Sequence, residues 1–122
     1  MKTPAVRLPA TPVSPSWLTT GILYQIQLRC FSPEGTLQAA QRRLPKLAEL
    51  GITTVYLCPC FVADDDPDIR FWSPRQKQSG MNNPRNPYRI KDFYHIDPEY
   101  GTEQDLKDFV KVAHSLNLRV LL

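Results

Sequence analysis

From Ile52 to Cys58 the chain reads Ile-Thr-Thr-Val-Tyr-Leu-Cys, an almost unbroken apolar run. A strand with one wet face alternates apolar and polar residues, whereas a short continuous apolar run belongs to a strand covered on both faces of a parallel sheet. Parallel neighbours need crossover connections, so helices are expected on either side of this run. Upstream, Leu37, Ala40, Leu44 and Leu47 recur at helical spacing. Thr36 is placed to cap the start of that helix, and Gly51 supplies the left-handed position that ends it. Pro45 falls inside the pattern and predicts a kink or a restart. Before the Ser32-Pro33-Glu34-Gly35 turn, Ile22 to Leu28 is strand-like, rich in β-branched and aromatic types.

The same pattern repeats downstream. Thr102 with Asp105 imitates a capping box, and Leu106, Phe109, Val110 and Ala113 form one apolar stripe. Asn117 is the left-handed stop, and Leu118 to Leu122 begins another buried strand. Strand, helix, strand, helix, strand implies the α/β class, with a parallel sheet and right-handed crossovers. A doubly wound sheet and a (β/α)8 barrel both begin this way, and periodicity alone does not separate them. No glycine-rich phosphate loop follows the first or second strand, which gives a dinucleotide fold little support. The stretch from Pro59 to Gly101 is too long for a routine connection; loops of that size carry function or a small subdomain.

Residues 1–20 hold Pro4, Pro9, Pro12 and Pro15 and are read as a tail or linker without regular structure, leaving 21–122 as the folded part. With 122 residues, 42% hydrophobic and 22% charged, the chain can build at most one domain with a modest core. A net charge of +3 with no basic stripe argues against nucleic acid as a partner. Arg70, Arg75, Lys77, Arg85, Arg89 and Lys91 face the acidic run of Asp64, Asp65, Asp66 and Asp68, which reads as a solvated loop. That run fails the EF-hand pattern because Pro67 and Ile69 occupy positions needing other residues. No signal-peptide core and no membrane span is expected. Cys30, Cys58 and Cys60 form an odd set, expected as reduced thiols in a cytoplasmic protein, and Cys58 and Cys60, one residue apart, are expected as small core side chains. Neither a metal nor a cofactor is expected.

Three stretches, in order, resemble glycoside hydrolase family 13, the α-amylase family. Tyr24-Gln-Ile26-Gln-Leu-Arg29-Cys-Phe31 is similar to the opening barrel strand. Leu44 through Leu50, Gly51 and Ile52 to Tyr56-Leu57-Cys-Pro59 is similar to the first helix running into the second strand with its Leu-x-Pro exit. Asn86-Pro87-Tyr88 through Asp92-Phe93-Tyr94-His95-Ile96-Asp97-Pro98-Glu99-Tyr100-Gly101-Thr102 resembles the family's Gly-Tyr-x-x-x-Asp-Tyr-x-x-Ile-x-Pro-x-Phe-Gly-Thr segment. Pro87 departs from the usual Gly, Arg85 departs from an acid found in members acting on chain ends, and the Asp-rich calcium loop after the first strand is absent.

The resemblance implies a fragment of a (β/α)8 TIM barrel over 21–122, the truncated N-terminal part of an α-amylase-like catalytic domain. It implies that Tyr88 floors the subsite holding the sugar ring to be cleaved, with Asp92 bracing the subsite wall. His95 and His114 are read as hydrogen-bonded packing residues. Retaining hydrolysis takes two carboxylates about 5 Å apart, and the family's pair would lie beyond Leu122, so no catalytic residue is assigned here. The expected function is part of a retaining glycoside hydrolase or transglycosylase acting on an α-linked glucan. The rival expectation is a non-catalytic carbohydrate-binding or structural remnant of the same fold.

Overall fold

The computed structural model describes residues 13–65, 67–79 and 86–122. Its first element is a single helical turn, α1 (Ser16–Thr19), within the segment expected to lack regular structure. Pro15 stands just before its first turn, where a missing N–H costs nothing. Trp17 then stacks on the Arg119 guanidinium, 5.0 Å from the ring centre. Pro4, Pro9 and Pro12 lie outside the described residues.

Next come β1 (Leu23–Ile26), the short helix α2 (Leu28–Phe31), α3 (Leu37–Glu49) and β2 (Thr54–Leu57). The first strand is therefore shorter than the run Ile22 to Leu28. The Gln27 carbonyl accepts from the N–H groups of both Cys30 and Phe31, turning the chain into a helix and burying Leu28. The helix α3 continues as one element through Pro45 rather than restarting there. Thr36 caps it, accepting from the Ala39 N–H at 3.2 Å.

Following β2 are β3 (Phe61–Ala63), a 3₁₀ turn (Ile69–Phe71), α4 (Pro74–Ser79) and β4 (Ile90–Ile96). The helix α5 (Glu103–Ser115) and β5 (Arg119–Leu121) complete the order. The capping box at α5 is formed in both directions. The Asp105 N–H reaches Thr102 Oγ1 at 3.2 Å, and Asp105 Oδ2 accepts from the Thr102 N–H at 2.7 Å.

Both long helices stop in the same way. Gly51 (φ +84°) and Asn117 (φ +58°) take the left-handed conformation. Ile52 N–H then bonds the Leu47 carbonyl and Gly51 N–H that of Ala48, while Leu118 and Asn117 repeat the pair on Ala113 and His114. This double bond pattern satisfies orphaned carbonyls and aims the chain into the next strand.

The strands β1, β2 and β5 form one parallel sheet in that order. Register pairs Tyr24 with Val55 and Val55 with Val120, so these residues share a face with Ile26 and Leu57. That face packs under α3 and α5, and Ile26, Leu37, Leu44, Val55, Leu57, Phe109 and Leu118 are buried there together. The other face carries Leu23, Gln25, Tyr56 and Leu121, with Leu23 and Leu121 exposed.

The long segment holds a subdomain-like ribbon. Antiparallel β3 and β4 pair Phe61 with Ile96, Val62 with Asp92 and Ala63 with Ile90, with irregular register between. Buried Asp97 ties the ribbon's base, accepting from the N–H groups of Ala63 (3.3 Å) and Glu99 (2.9 Å).

Candidate functional site

Where the C-terminal ends of β2 and β5 meet the ribbon lies an apolar concavity of about 300 Å³. Tyr56, Cys58, Phe61, Tyr88, Phe93 and Leu122 are among the residues lining it, and none of the described lining residues is acidic. The strand pleat places it: Tyr56 and Cys58 alternate to the face away from the helices, and the chain then turns into β3.

Tyr88 is 56% exposed, so its ring presents area to anything entering the concavity. Asn86 Oδ1 accepts from the Tyr88 N–H at 3.0 Å in an Asx-type turn that sets the residue's direction. The Tyr88 hydroxyl donates to Cys58 Sγ at 3.3 Å. That bond favours the protonated phenol, and with desolvation it pushes the Tyr88 pKa up to about 12.

Cys58 itself is 3% exposed, and its sulfur also accepts from Gln25 Nε2–H at 3.0 Å. Cys60 belongs to the core cluster, where burial pushes its thiol up to about 11 and makes it a poor nucleophile. The three cysteines are free thiols. Cys30 is exposed on α2, whereas Cys58 and Cys60 are buried as expected of small core side chains.

Asp92 is not among the lining residues; its carboxylate is turned back onto its own strand. It accepts from the Tyr94 N–H at 2.8 Å and meets His95 Nδ1 at 2.6 Å. The Tyr94 N–H first, and His95 second, hold its carboxyl below the ordinary range. Tyr88 and Asp92 are thus brought to the same ribbon but not to the same surface. His95 has the expected hydrogen bond, yet its side chain is 75% exposed rather than packed. His114 is likewise exposed rather than packed.

The acidic run pairs with the basic cluster. Arg89 meets Asp64 at 2.5 Å, Arg70 meets Asp68 at 2.5 Å and Lys91 meets Asp65 at 3.3 Å. Asp66 and Arg85 lie outside the described residues. Among the described residues no group of three or more His, Cys, Asp or Glu side chains is placed to hold a metal ion. None of the described helices is long and apolar enough to cross a membrane.

Sequence reasoning did not assign Gln25, Cys58, Phe61 or Phe93 to the site. The available signal was the pleat: Tyr56 and Cys58 must share a face, and Gln25 pairs in register with Tyr56.

An apolar concavity beyond the C-terminal ends of parallel strands, with helices covering their other face, is the site arrangement of TIM-barrel proteins. Comparison with known proteins agrees. The family model of the alpha amylase catalytic domain matches residues 14–122, and the chain belongs to that family. It is 33% identical over 101 residues to a malto-oligosyltrehalose trehalohydrolase of Deinococcus radiodurans, covering 83% of this chain and 14% of that protein. It is 32% identical over 111 residues to Maltase A2 of Drosophila melanogaster, covering 87% of this chain and 16% of that protein. Among solved structures, a maltogenic alpha-amylase from Thermotoga neapolitana superposes with a TM-score of 0.67 at 30% identity, over 84% of this chain and 22% of that one. An alpha-amylase from Lactobacillus plantarum superposes with a TM-score of 0.69 at 26% identity, over 84% and 22%. The chain thus spans about one-seventh of the length of these curated relatives.

Proposed function

We propose that these residues form the opening part of the catalytic barrel of a retaining glycoside hydrolase or transglycosylase acting on an α-linked glucan in the cytoplasm. The observation that carries the reading is the half-exposed Tyr88 ring on an apolar concavity at the strand ends. A sugar ring has an apolar face of C–H groups, and an aromatic ring stacks on it while the phenol keeps a polar contact at its edge. Phe93 and Phe61 extend the same apolar wall. The relatives support the substrate class, since their names describe enzymes of maltose, starch and trehalose chemistry.

Within this reading the chain contributes binding and orientation, not the bond-breaking groups. Retention requires a nucleophilic carboxylate and a second one acting as acid and then base, about 5 Å apart. The acids described near the site are otherwise engaged: Asp92 holds His95 and the turn at Tyr94, and Asp64 holds Arg89. We assign Asp92 as a brace for β4 and leave the reaction carboxylates to parts of the natural protein outside these residues. Neither nucleic acid nor a membrane enters the proposal.

The test is product analysis with the natural gene product. Maltohexaose is supplied and the anomer first released is read by proton NMR. The proposal expects turnover with the α-anomer retained; release of the β-anomer contradicts it. Binding of maltohexaose without turnover favours the rival, a non-catalytic carbohydrate-binding module.

A further inference from the structure

We propose that Cys58 is a positioning residue for Tyr88: its sulfur, held by Gln25, accepts the phenol hydroxyl and fixes the angle at which the ring meets a sugar. The proposal rests on the reading of Tyr88 as the sugar-facing ring. Tyr88 sits on a turn before β4, where the Asn86 bond holds its backbone N–H but not the far end of its ring. The hydroxyl-to-sulfur contact of 3.3 Å ties the far end of this ring to the sheet.

The acceptor is itself well placed. Cys58 lies at the end of β2 and is nearly fully buried, so its sulfur has little freedom to move. The Gln25 amide approaches it from β1 at 3.0 Å. Gln25, Cys58 and Tyr88 thus form a chain of contacts from the first strand, across the second, to the ribbon's edge. Sulfur is a weak acceptor, but it is large and polarizable, so it accommodates two donors at these distances.

A packing role and an acceptor role make opposite predictions. Cys58→Val removes the acceptor and fills the site with a slightly larger apolar side chain; Cys58→Ser keeps an acceptor and loses volume. The experiment measures maltohexaose affinity of the natural gene product by calorimetry, together with the ring-carbon NMR signal of labelled Tyr88. That signal is identified by its disappearance in Tyr88→Phe.

The proposal expects Cys58→Val to weaken binding about 3- to 10-fold, the range for one lost hydrogen bond, and to shift the Tyr88 signal. Cys58→Ser should recover most of that loss. Tyr88→Phe breaks the same bond from the other side and alters an exposed ring, so it keeps the test available if Cys58→Val fails to fold. Its loss should match that of Cys58→Val, and the double variant should be no weaker than either single one. Additive losses, or wild-type affinity in Cys58→Val with an unmoved Tyr88 signal, overturn the proposal. If Tyr88→Ala itself binds maltohexaose as tightly as wild type, the failure lies in the sugar-facing reading, and the positioning role falls with it.

Discussion

Arg29 and Glu99 meet in a two-point ion pair across 70 residues of sequence, with Nε to Oε1 at 2.7 Å and Nη2 to Oε2 at 2.9 Å. Arg29 stands on α2 just past β1, and Glu99 stands before α5, so the pair fastens the first strand's exit to the entrance of α5. The Arg29 guanidinium also lies 5.9 Å from the centre of the buried Tyr100 ring. Both charged side chains are roughly a third exposed, which tempers the gain through solvent screening. Glu99→Gln is expected to lower the stability of the natural protein by about 1 kcal/mol. Arg29→Lys should cost a similar amount, because an ammonium lacks the planar fork. Urea unfolding midpoints check this; unchanged midpoints for both variants contradict it.

The two helix stops give a second prediction. A Cβ built on Gly51 meets nothing within 4 Å, so Gly51→Ala isolates the strain of its φ of +84°. The expected loss is about 1 kcal/mol. Asn117→Gly should be neutral or stabilising, whereas Asn117→Val should be clearly destabilising at that φ of +58°. Thermal melts of the three variants decide it, and a stabilised Gly51→Ala contradicts it.

Acid should weaken the start of α5. Gln38 first, and then Thr102, hold the Asp105 carboxyl below its ordinary value. A carboxylate with a lowered folded pKa stabilises the fold above its unfolded pKa of about 4. That contribution is lost as pH falls through the lower folded value. Asp105→Asn should therefore melt below wild type at pH 7, and the gap should narrow as both are acidified. A gap that widens on acidification contradicts the assignment.

The isolated 122-residue chain should neither turn over α-glucans nor melt cooperatively. No acidic side chain is among the described residues lining the concavity, and Ile22, Leu23, Leu121 and Leu122 leave apolar surface open. Repurified chain that still releases sugar, or that melts as a sharp reversible monomer, contradicts this.

What was legible in the sequence was local. The Thr102–Asp105 box, the Thr36 cap and the stops at Gly51 and Asn117 depend on residues within a few positions, and each formed as read. The parallel sheet followed from helix and strand alternation, but the order of its strands did not. The ribbon was not legible because β3 and β4 pair across 26 intervening residues (64–89), with shifts in register that blur alternation. Strand β1 was overread because Leu28 is as apolar as a strand residue but buries through a helical turn. The Tyr88–Cys58 contact spans 30 positions and exists only once the ribbon folds back over the end of β2. Local pattern placed Tyr88 in a loop; only tertiary structure gave it a partner.

The most direct measurement is kcat/KM of the natural gene product on maltohexaose for wild type and Tyr88→Ala, with the melting temperature of each taken alongside. If the exposed ring orients the sugar, losing it misplaces the reacting carbon, and kcat/KM should fall on the order of 100-fold. The melting temperature should move little, since Tyr88 is 56% exposed. Wild-type kcat/KM per folded molecule, or a fall that tracks lost folded protein alone, would contradict the assignment of Tyr88 to the sugar site.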